Sequence, residues 1–383
     1  MIYLDNAATS YPKPNYVLRE TQKILAAPLG NPGRSGHRFS LAAAELVFSA
    51  RESLARLLNL KKPERIVFCS GATAALNFAI TGSVLAWERH RKKPLVVTDV
   101  LEHNSVLRPL YALEEQGRIR LEILSPESDG NLSVPLLMHL RPDLFVFGCR
   151  SNTTGHTFFI RQTVEALKKS GTVVIADASQ ALGSGLCTLH STGAHMLCAP
   201  SHKGLLGIMG AGILAFSEDC PLEPEPILSG GSGIDSFSPH MPELLPEKME
   251  AGTLPLPAIA SMKAGADFLL QTGLETVLRT ERERKKLLSD GIRSFKRYRI
   301  YEPQYPDGPL LVNRQGTDCQ ELAKALDQNG ILARGGFHCA PLAHRFLGTE
   351  EQGALRFSPG FFTTRSQILE TLDVLSRLEK YLP

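Results

Sequence analysis

Four short apolar runs constrain this chain more than any other feature: RIVFCSG at 65–71, PLVVTDV at 94–100, DLFVFGC at 143–149 and TVVIADA at 172–178. Each is β-branched or aromatic through its middle and stops at turn residues, without alternation of apolar and polar positions. A strand apolar on both faces needs cover on both, which is the condition inside a parallel sheet. The cover is written between the runs, as helical spacing over 40–60, 72–91, 105–117 and 159–171. The last of these closes on Lys168, Lys169 and then Gly171, a basic last turn followed by a residue suited to a helix cap. Strand alternating with helix predicts an α/β, doubly wound sheet.

The alternation stops after about residue 217. Residues 220–257 are rich in proline and glycine and read as a long irregular excursion. A helix resumes near Ala258, its exposed end strongly charged (RTERERKKLL), and a smaller α+β unit closes the chain. The domain boundary is expected near residue 255. A length of 383 residues suits two to three domains and a sizeable core. The net charge of +3 is too small to point to nucleic acid.

The apolar stretch 204–216 is shorter than the roughly 20 residues that span a bilayer, so no membrane partner is expected. MIYLDNAATS lacks the basic start and apolar core of a secretion signal, and a cytoplasmic location is expected. Cys69, Cys149, Cys187, Cys198, Cys220, Cys319 and Cys339 contain no Cys-x-x-Cys pair. An odd, scattered set argues against a secreted disulfide framework and for a reducing compartment, with one thiol a candidate for reactivity.

Open α/β sheets bind ligands at the carboxyl ends of their strands, and four strand ends here carry distinctive residues. Asp177 ends the run TVVIADA, where a carboxylate could pair with a cationic ring nitrogen or simply cap the next turn. Lys203 stands just before an apolar, glycine-rich segment, and desolvation there would lower its pKa and make its amine a nucleophile. Gly71, Ala72 and Thr73 join a strand to a helix whose first amides suit phosphate. His103 follows PLVVTDV, placed either to stack on a planar ring or to begin a helix. A phosphate cradle, a stacking imidazole, a carboxylate for a ring nitrogen and an imine-forming lysine are the parts that pyridoxal 5'-phosphate (PLP) requires.

The order of motifs resembles the class V aminotransferase group of fold-type I PLP enzymes, and within it the cysteine desulfurase and selenocysteine lyase family. YLDNAATSYPKP, GNPGRSGH, SGATAALN, EHNSVLRP, SNTTG, DASQALG, SHKGLLG, EAGT, HCAPLAH and LRFSPGFF follow one another over nearly the whole chain. The resemblance implies a large PLP-binding domain over 15–255, with a mostly parallel seven-stranded sheet between helices. It also implies a smaller α+β domain built from 1–14 and 256–383.

By the same resemblance, Lys203 would anchor the cofactor covalently and Asp177 would keep the pyridine nitrogen protonated. Gln180 would hydrogen-bond the ring's phenolic oxygen, and His103 would stack on the ring and take part in catalysis. Ala72, Thr73, Ser201 and His202 would bind phosphate, and Ser232 would reach the phosphate of the other subunit in a homodimer. Asn152 would contact the ring oxygen or the substrate carboxylate, and Arg356 would clamp that carboxylate. Cys339 follows a Gly335-Gly336 turn with Arg334 and His338 nearby. Positive neighbours raise the thiolate fraction of such a thiol, and the resemblance makes Cys339 the residue that takes sulfur as a persulfide. The other six cysteines are left as packing residues, with Cys198 the one nearest the lysine.

The expected reaction is conversion of L-cysteine to L-alanine, with sulfur passed on to an acceptor protein. Selenocysteine lyase activity, another PLP-dependent β-elimination or transamination, or a non-catalytic sulfur-transfer scaffold are the alternatives. Cluster His190, His195, Cys198 and His202 matches no tetrahedral metal spacing, and no metal is expected. Three departures from the family pattern stand out. Pro200 offers phosphate no donor, Lys248 replaces a more usual arginine, and Thr363 replaces an asparagine.

Overall fold

The computed structural model describes residues 1–89, 93–158, 160–185, 187–301 and 307–381, and in it the apolar runs become strands of one sheet. The chain opens with β1 (Ile2–Tyr3), α1 (Asn15–Ala26) and α2 (Arg38–Leu58). Strands and helices then follow as β2 (Ile66–Cys69), α3 (Ala72–Glu88), β3 (Leu95–Asp99), α4 (Asn104–Glu115), β4 (Arg120–Leu124) and α5 (Val134–Leu140). Next come β5 (Leu144–Gly148), α6 (Arg161–Lys169), β6 (Val173–Asp177), α7 (Leu189–Thr192), β7 (Met196–Pro200) and β8 (Gly212–Phe216). The expected helix over 72–91 ends at Glu88, and residues 90 and 91 lie outside the described residues. Residues 217–255 carry neither helix nor strand, as their proline and glycine content requires.

Seven strands pair in the order β2-β8-β7-β6-β5-β3-β4. Only β8 runs antiparallel to its neighbours, so the sheet is mostly parallel and the α/β expectation holds. The absence of alternation in the runs has a direct cause. Along β5, Phe145 and Phe147 enter one core with Leu54 and Leu58 of α2, while Leu144 and Val146 enter another with Leu76 and Ile80 of α3. Each such side chain contributes about 1.5–3 kcal/mol when fully buried, so neither face of a central strand can turn to water.

The chain continues with α8 (Leu256–Thr272), α9 (Leu274–Arg293), β9 (Tyr298–Tyr301), β10 (Leu310–Arg314), α10 (Cys319–Gln328) and β11 (Ile331–Leu332). It ends with β12 (Arg334–Gly336), α11 (Pro341–Phe346), β13 (Ala354–Phe357) and α12 (Arg365–Tyr381). Helix α8 adds Ile259, Met262 and Leu269 to a core of the large sheet. Beyond it, β12-β13-β10-β9 form an antiparallel sheet. Strand β1 pairs in parallel with β11, Ile2 opposite Ile331 and Tyr3 opposite Leu332. A third core gathers Leu4, Leu288, Leu310, Val312, Leu322 and Phe357.

Two of the cysteines depart from the expectation of separate packing residues. Cys149, just past β5, and Cys187 form a disulfide across 38 residues. Both lie in the same buried core, a proximity produced by the packing of the sheet and invisible in their spacing. No described helix is long and apolar enough to cross a membrane.

Candidate active site

The carboxyl ends of β3, β5, β6 and β7 meet the first turn of α3 around a cavity of about 250 Å³. Ala72, Thr73, His103, Asn152, Asp177, Gln180, His202 and Lys203 all line it, so eight of the residues singled out in the sequence converge there. Their convergence follows from topology, because parallel strands deliver their last residues to one edge.

Asp177 is the final residue of β6 and is buried, and its Oδ1 accepts from the Ser179 amide at 2.9 Å. It therefore caps a turn and lines the cavity at once. His103 also does both. It is the N-cap of α4, with Nδ1 accepting from the Ser105 amide at 3.0 Å, which leaves the proton of the neutral ring on Nε2. Burial first, and then the neighbouring Lys203 charge, push its pKa down to about 4, so the ring is neutral at physiological pH.

Lys203 sits in the loop between β7 and β8. The Ser201 amide donates to the Ala211 carbonyl and the Gly207 amide to the Ser201 carbonyl, each at 2.9 Å. Leu205 and Leu206 are buried behind the lysine, as the apolar stretch after it requires. A side chain at Gly183 would run into the Gly204 carbonyl, so two glycines allow the loop to lie directly on the backbone beneath it. Burial lowers the Lys203 ammonium to about 8; Arg356 and Arg334 add to the fall while Asp177 and Cys339 oppose it.

Gln180 donates through Nε2 to the Ala7 carbonyl at 3.0 Å. Asn152 donates through Nδ2 to the His338 carbonyl at 2.7 Å, and its own carbonyl accepts from Arg356 Nη1 at 3.0 Å. Arg356 on β13 does not line the cavity but reaches it through this contact. Cys339 is exposed at the tip of a turn between β12 and α11, and its carbonyl accepts from the Asn104 amide at 2.8 Å. The cysteine is thereby tied to the first residue of α4, next to His103.

Two predicted residues lie elsewhere. The Ser201 hydroxyl is fully buried and points to where a Gly207 side chain would be, away from the cavity. Ser232 belongs to the excursion and lines a separate cavity with Arg51 and Glu250. Of the departures, Pro200 lines the main cavity, Lys248 faces Glu223 at 3.4 Å, and Thr363 accepts through Oγ1 from the Gly360 amide at 3.0 Å.

Several site residues escaped the sequence reading. Asp99 and Glu102 are buried carboxyl groups lining the same cavity, and Glu102 accepts from the Gly148 amide beside Asp177. Burial raises both, and the Asp99 and Asp177 charges raise Glu102 further. A carboxylate ending the run at 94–100, with another three residues on, was the available signal. Asp5 pairs with Arg356 at 2.7 Å, a contact that no local pattern announces.

The residues fit a group that is planar, anionic at one end and reactive toward amines. The start of α3 offers unpaired amides, Lys203 offers an amine of depressed pKa, and Asp177 offers a carboxylate. Among the buried atoms of lining residues, Asn152 Oδ1 and His202 Nδ1 have no hydrogen-bond partner within the protein.

Comparison with known proteins gives one consistent result. The family described as Aminotransferase class-V matches residues 2–370. A probable cysteine desulfurase of Methanothermobacter thermautotrophicus is 28% identical over 98% of this chain and 94% of its own length. One from Aeropyrum pernix is 30% identical over 90% of this chain and 86% of its own. The apo structure of a cysteine desulfurase from Thermococcus onnurineus NA1 superposes with a TM-score of 0.90 at 26% identity, covering 99% of this chain and 94% of that one.

Proposed function

The chain belongs to the class-V aminotransferase family, and from that premise we propose that it is a PLP-dependent cysteine desulfurase. It converts L-cysteine to L-alanine and receives the sulfur on Cys339 as a persulfide. One observation carries this reading: Lys203, Asp177 and His103 share a cavity whose Asn152 and neighbouring Asn104 hold the turn of an exposed cysteine.

The cofactor, when bound, supplies an electron sink that makes the Cα proton of an amino acid acidic and its β-substituent labile. Ala72, Thr73 and the α3 amides would hold its phosphate, with His202 beside them. Asp177 would hold the ring nitrogen, His103 one face, Gln180 the phenolic oxygen and Lys203 the carbonyl carbon. Burial gives Lys203 an amine that is largely neutral above about pH 8, able to attack a carbonyl and to carry the Cα proton on Nζ. Arg356 and Asn152 would orient the substrate carboxylate. Its buried guanidinium keeps Nε without a partner in the protein, which leaves a donor for that role.

Sulfur transfer balances within the chain. The Cys339 thiolate attacks the substrate sulfur, the S–Cβ bond breaks, and Cβ takes a proton to become the methyl group of alanine. One cysteine and one enzyme thiol give one alanine and one persulfide. A homodimer is part of the proposal, with Ser232 serving the site of a second copy. The exposed Phe39, Leu41 and Phe48 of α2 and the exposed Leu228, Ile234 and Phe237 of the excursion, with Phe48 and Ile234 lining one cavity, support such an interface. A sulfur-acceptor protein would then unload Cys339.

The test is incubation with L-cysteine and PLP, with alanine measured and Cys339 followed by mass spectrometry. Alanine and a Cys339 persulfide are expected in equal amounts in the first turnover. Wild-type alanine formation by Cys339→Ser would overturn the persulfide route.

A further inference from the structure

Cys339 is the second of two consecutive non-glycine residues in the left-handed region, His338 at φ +52° and Cys339 at φ +56°. Side chains rarely adopt that conformation singly, and two in succession persist only where the surroundings hold them. One tether comes from the main cavity, the Asn152 side chain on the His338 carbonyl, and one from the start of α4, the Asn104 amide on the Cys339 carbonyl. The others come from a buried chain of side chains.

That chain runs through His338, His344 and Thr349, all at most 2% exposed. His338 Nε2 lies 3.0 Å from the Arg334 carbonyl, His338 Nδ1 lies 3.3 Å from His344 Nε2, and His344 Nδ1 lies 2.7 Å from Thr349 Oγ1. Its direction can be derived. A carbonyl only accepts, so His338 carries its proton on Nε2 and accepts at Nδ1. His344 must then donate from Nε2 and accept at Nδ1, and the Thr349 hydroxyl, 3.3 Å from the His344 carbonyl but 2.7 Å from Nδ1, donates to the nearer nitrogen. Burial lowers both imidazoles, His338 to about 3, and keeps both rings in these neutral forms.

We propose that His344 is a positioning residue for sulfur transfer: with Thr349 behind it, it fixes His338 and so holds Cys339 in the shape that meets the substrate sulfur. This rests on the reading of Cys339 as the sulfur acceptor. Neither His344 nor Thr349 lines the cofactor cavity, so the inferred effect falls on transfer to the thiol and spares the earlier steps.

The experiment compares His344→Leu, His344→Gln and Thr349→Val holoenzymes on two substrates. L-cysteine needs Cys339 to accept its sulfur, whereas L-cysteine sulfinate releases its sulfur as sulfur dioxide with no thiol acceptor. His344→Leu is expected to lower kcat on cysteine on the order of ten- to a hundredfold, the range for a misplaced reacting group. Turnover of the sulfinate should stay within about twofold of wild type by the same reasoning. His344→Gln keeps an amide donor for His338 and should recover most of the rate. Thr349→Val should show a smaller loss and tests the chain if His344→Leu does not fold.

A spectroscopic readout is independent of turnover. Side-chain nitrogen NMR of the wild-type apoprotein should show the His344 ring, assigned by its loss in His344→Leu, as the Nε2–H tautomer. An Nδ1–H or doubly protonated His344 ring at neutral pH overturns the inference, as do equal losses on both substrates or no loss on cysteine. Absence of a Cys339 persulfide in the wild type refutes the desulfurase reading itself, a different result from any of these.

Discussion

Arg356 and Asp5, separated by 351 residues in the chain, meet at 2.7 Å between Nη2 and Oδ1. The guanidinium side chain is 1% exposed, and its other nitrogen donates to the Asn152 carbonyl. An N-terminal carboxylate thus aims the cation assigned to the substrate. Asp5→Asn keeps an acceptor but removes the charge, and a destabilisation of about 1–3 kcal/mol is expected, within the range for a weakened buried charged contact. Urea denaturation of the apoprotein measures it, and an unchanged midpoint would refute the pairing.

Arg356→Lys retains the charge and loses the planar fork. The charge-assisted hydrogen bond that Nε would give the substrate carboxylate is worth about 1.5–3 kcal/mol, and a lysine, its ammonium drawn to Asp5, has no second nitrogen to replace it. KM for cysteine should therefore rise about ten- to a hundredfold while kcat changes less. A fall confined to kcat would remove Arg356 from the carboxylate site.

The pH dependence of cofactor uptake follows from Lys203. Its pKa is lowered from 10.5 to about 8, so the neutral amine becomes the main form above about pH 8. The rate at which the apoprotein takes up PLP covalently should rise through an inflection near pH 8 and flatten above it. Stability has the matching sign. The unfolded chain binds more protons than the folded one between about 8 and 10.5, so burial of Lys203 disfavours folding below about pH 8 and is relieved as pH rises to 10.5. An uptake profile still climbing steeply at pH 10 would show an unperturbed lysine.

Glu250→Ala tests a pair outside the site. Glu250 joins Arg51 at 2.6 Å with both side chains nearly buried, and it accepts from the Phe68 amide at 2.6 Å. Removing it strands a buried guanidinium and an amide of β2, for a destabilisation of about 3–5 kcal/mol. Thermal unfolding at fixed pH reads the loss. A Tm within a degree of wild type would mean that Arg51 finds another partner.

What was legible in the sequence divides along a physical line. Strands β2, β3, β5 and β6 and the residues at their ends could be read because burial on both faces leaves a continuous apolar run. Lys203 could be read because the residues that desolvate it follow it directly. His103 and Asp177 gave two readings each, a cap or a partner of a planar ring; the structure has both as caps and places both on the cavity wall. The Cys149–Cys187 disulfide, the Arg51–Glu250 pair and the His338–His344–Thr349 chain were illegible in part or whole. Their partners share no period, and only packing decides which side chains meet.

The pairing of β1 with β11 sets an order on synthesis. Ile2 and Tyr3 cannot find Ile331 and Leu332 until those residues have been translated, on the order of tens of seconds later at about 5–20 residues per second. By the end of that interval every strand of the large sheet has been made, while Asp5 still has no Arg356 to meet. Strand β1 is thus a late fastening of the fold, and a ribosome stalled before residue 331 would hold the cavity around Lys203 with Asp5 still apart from its arginine.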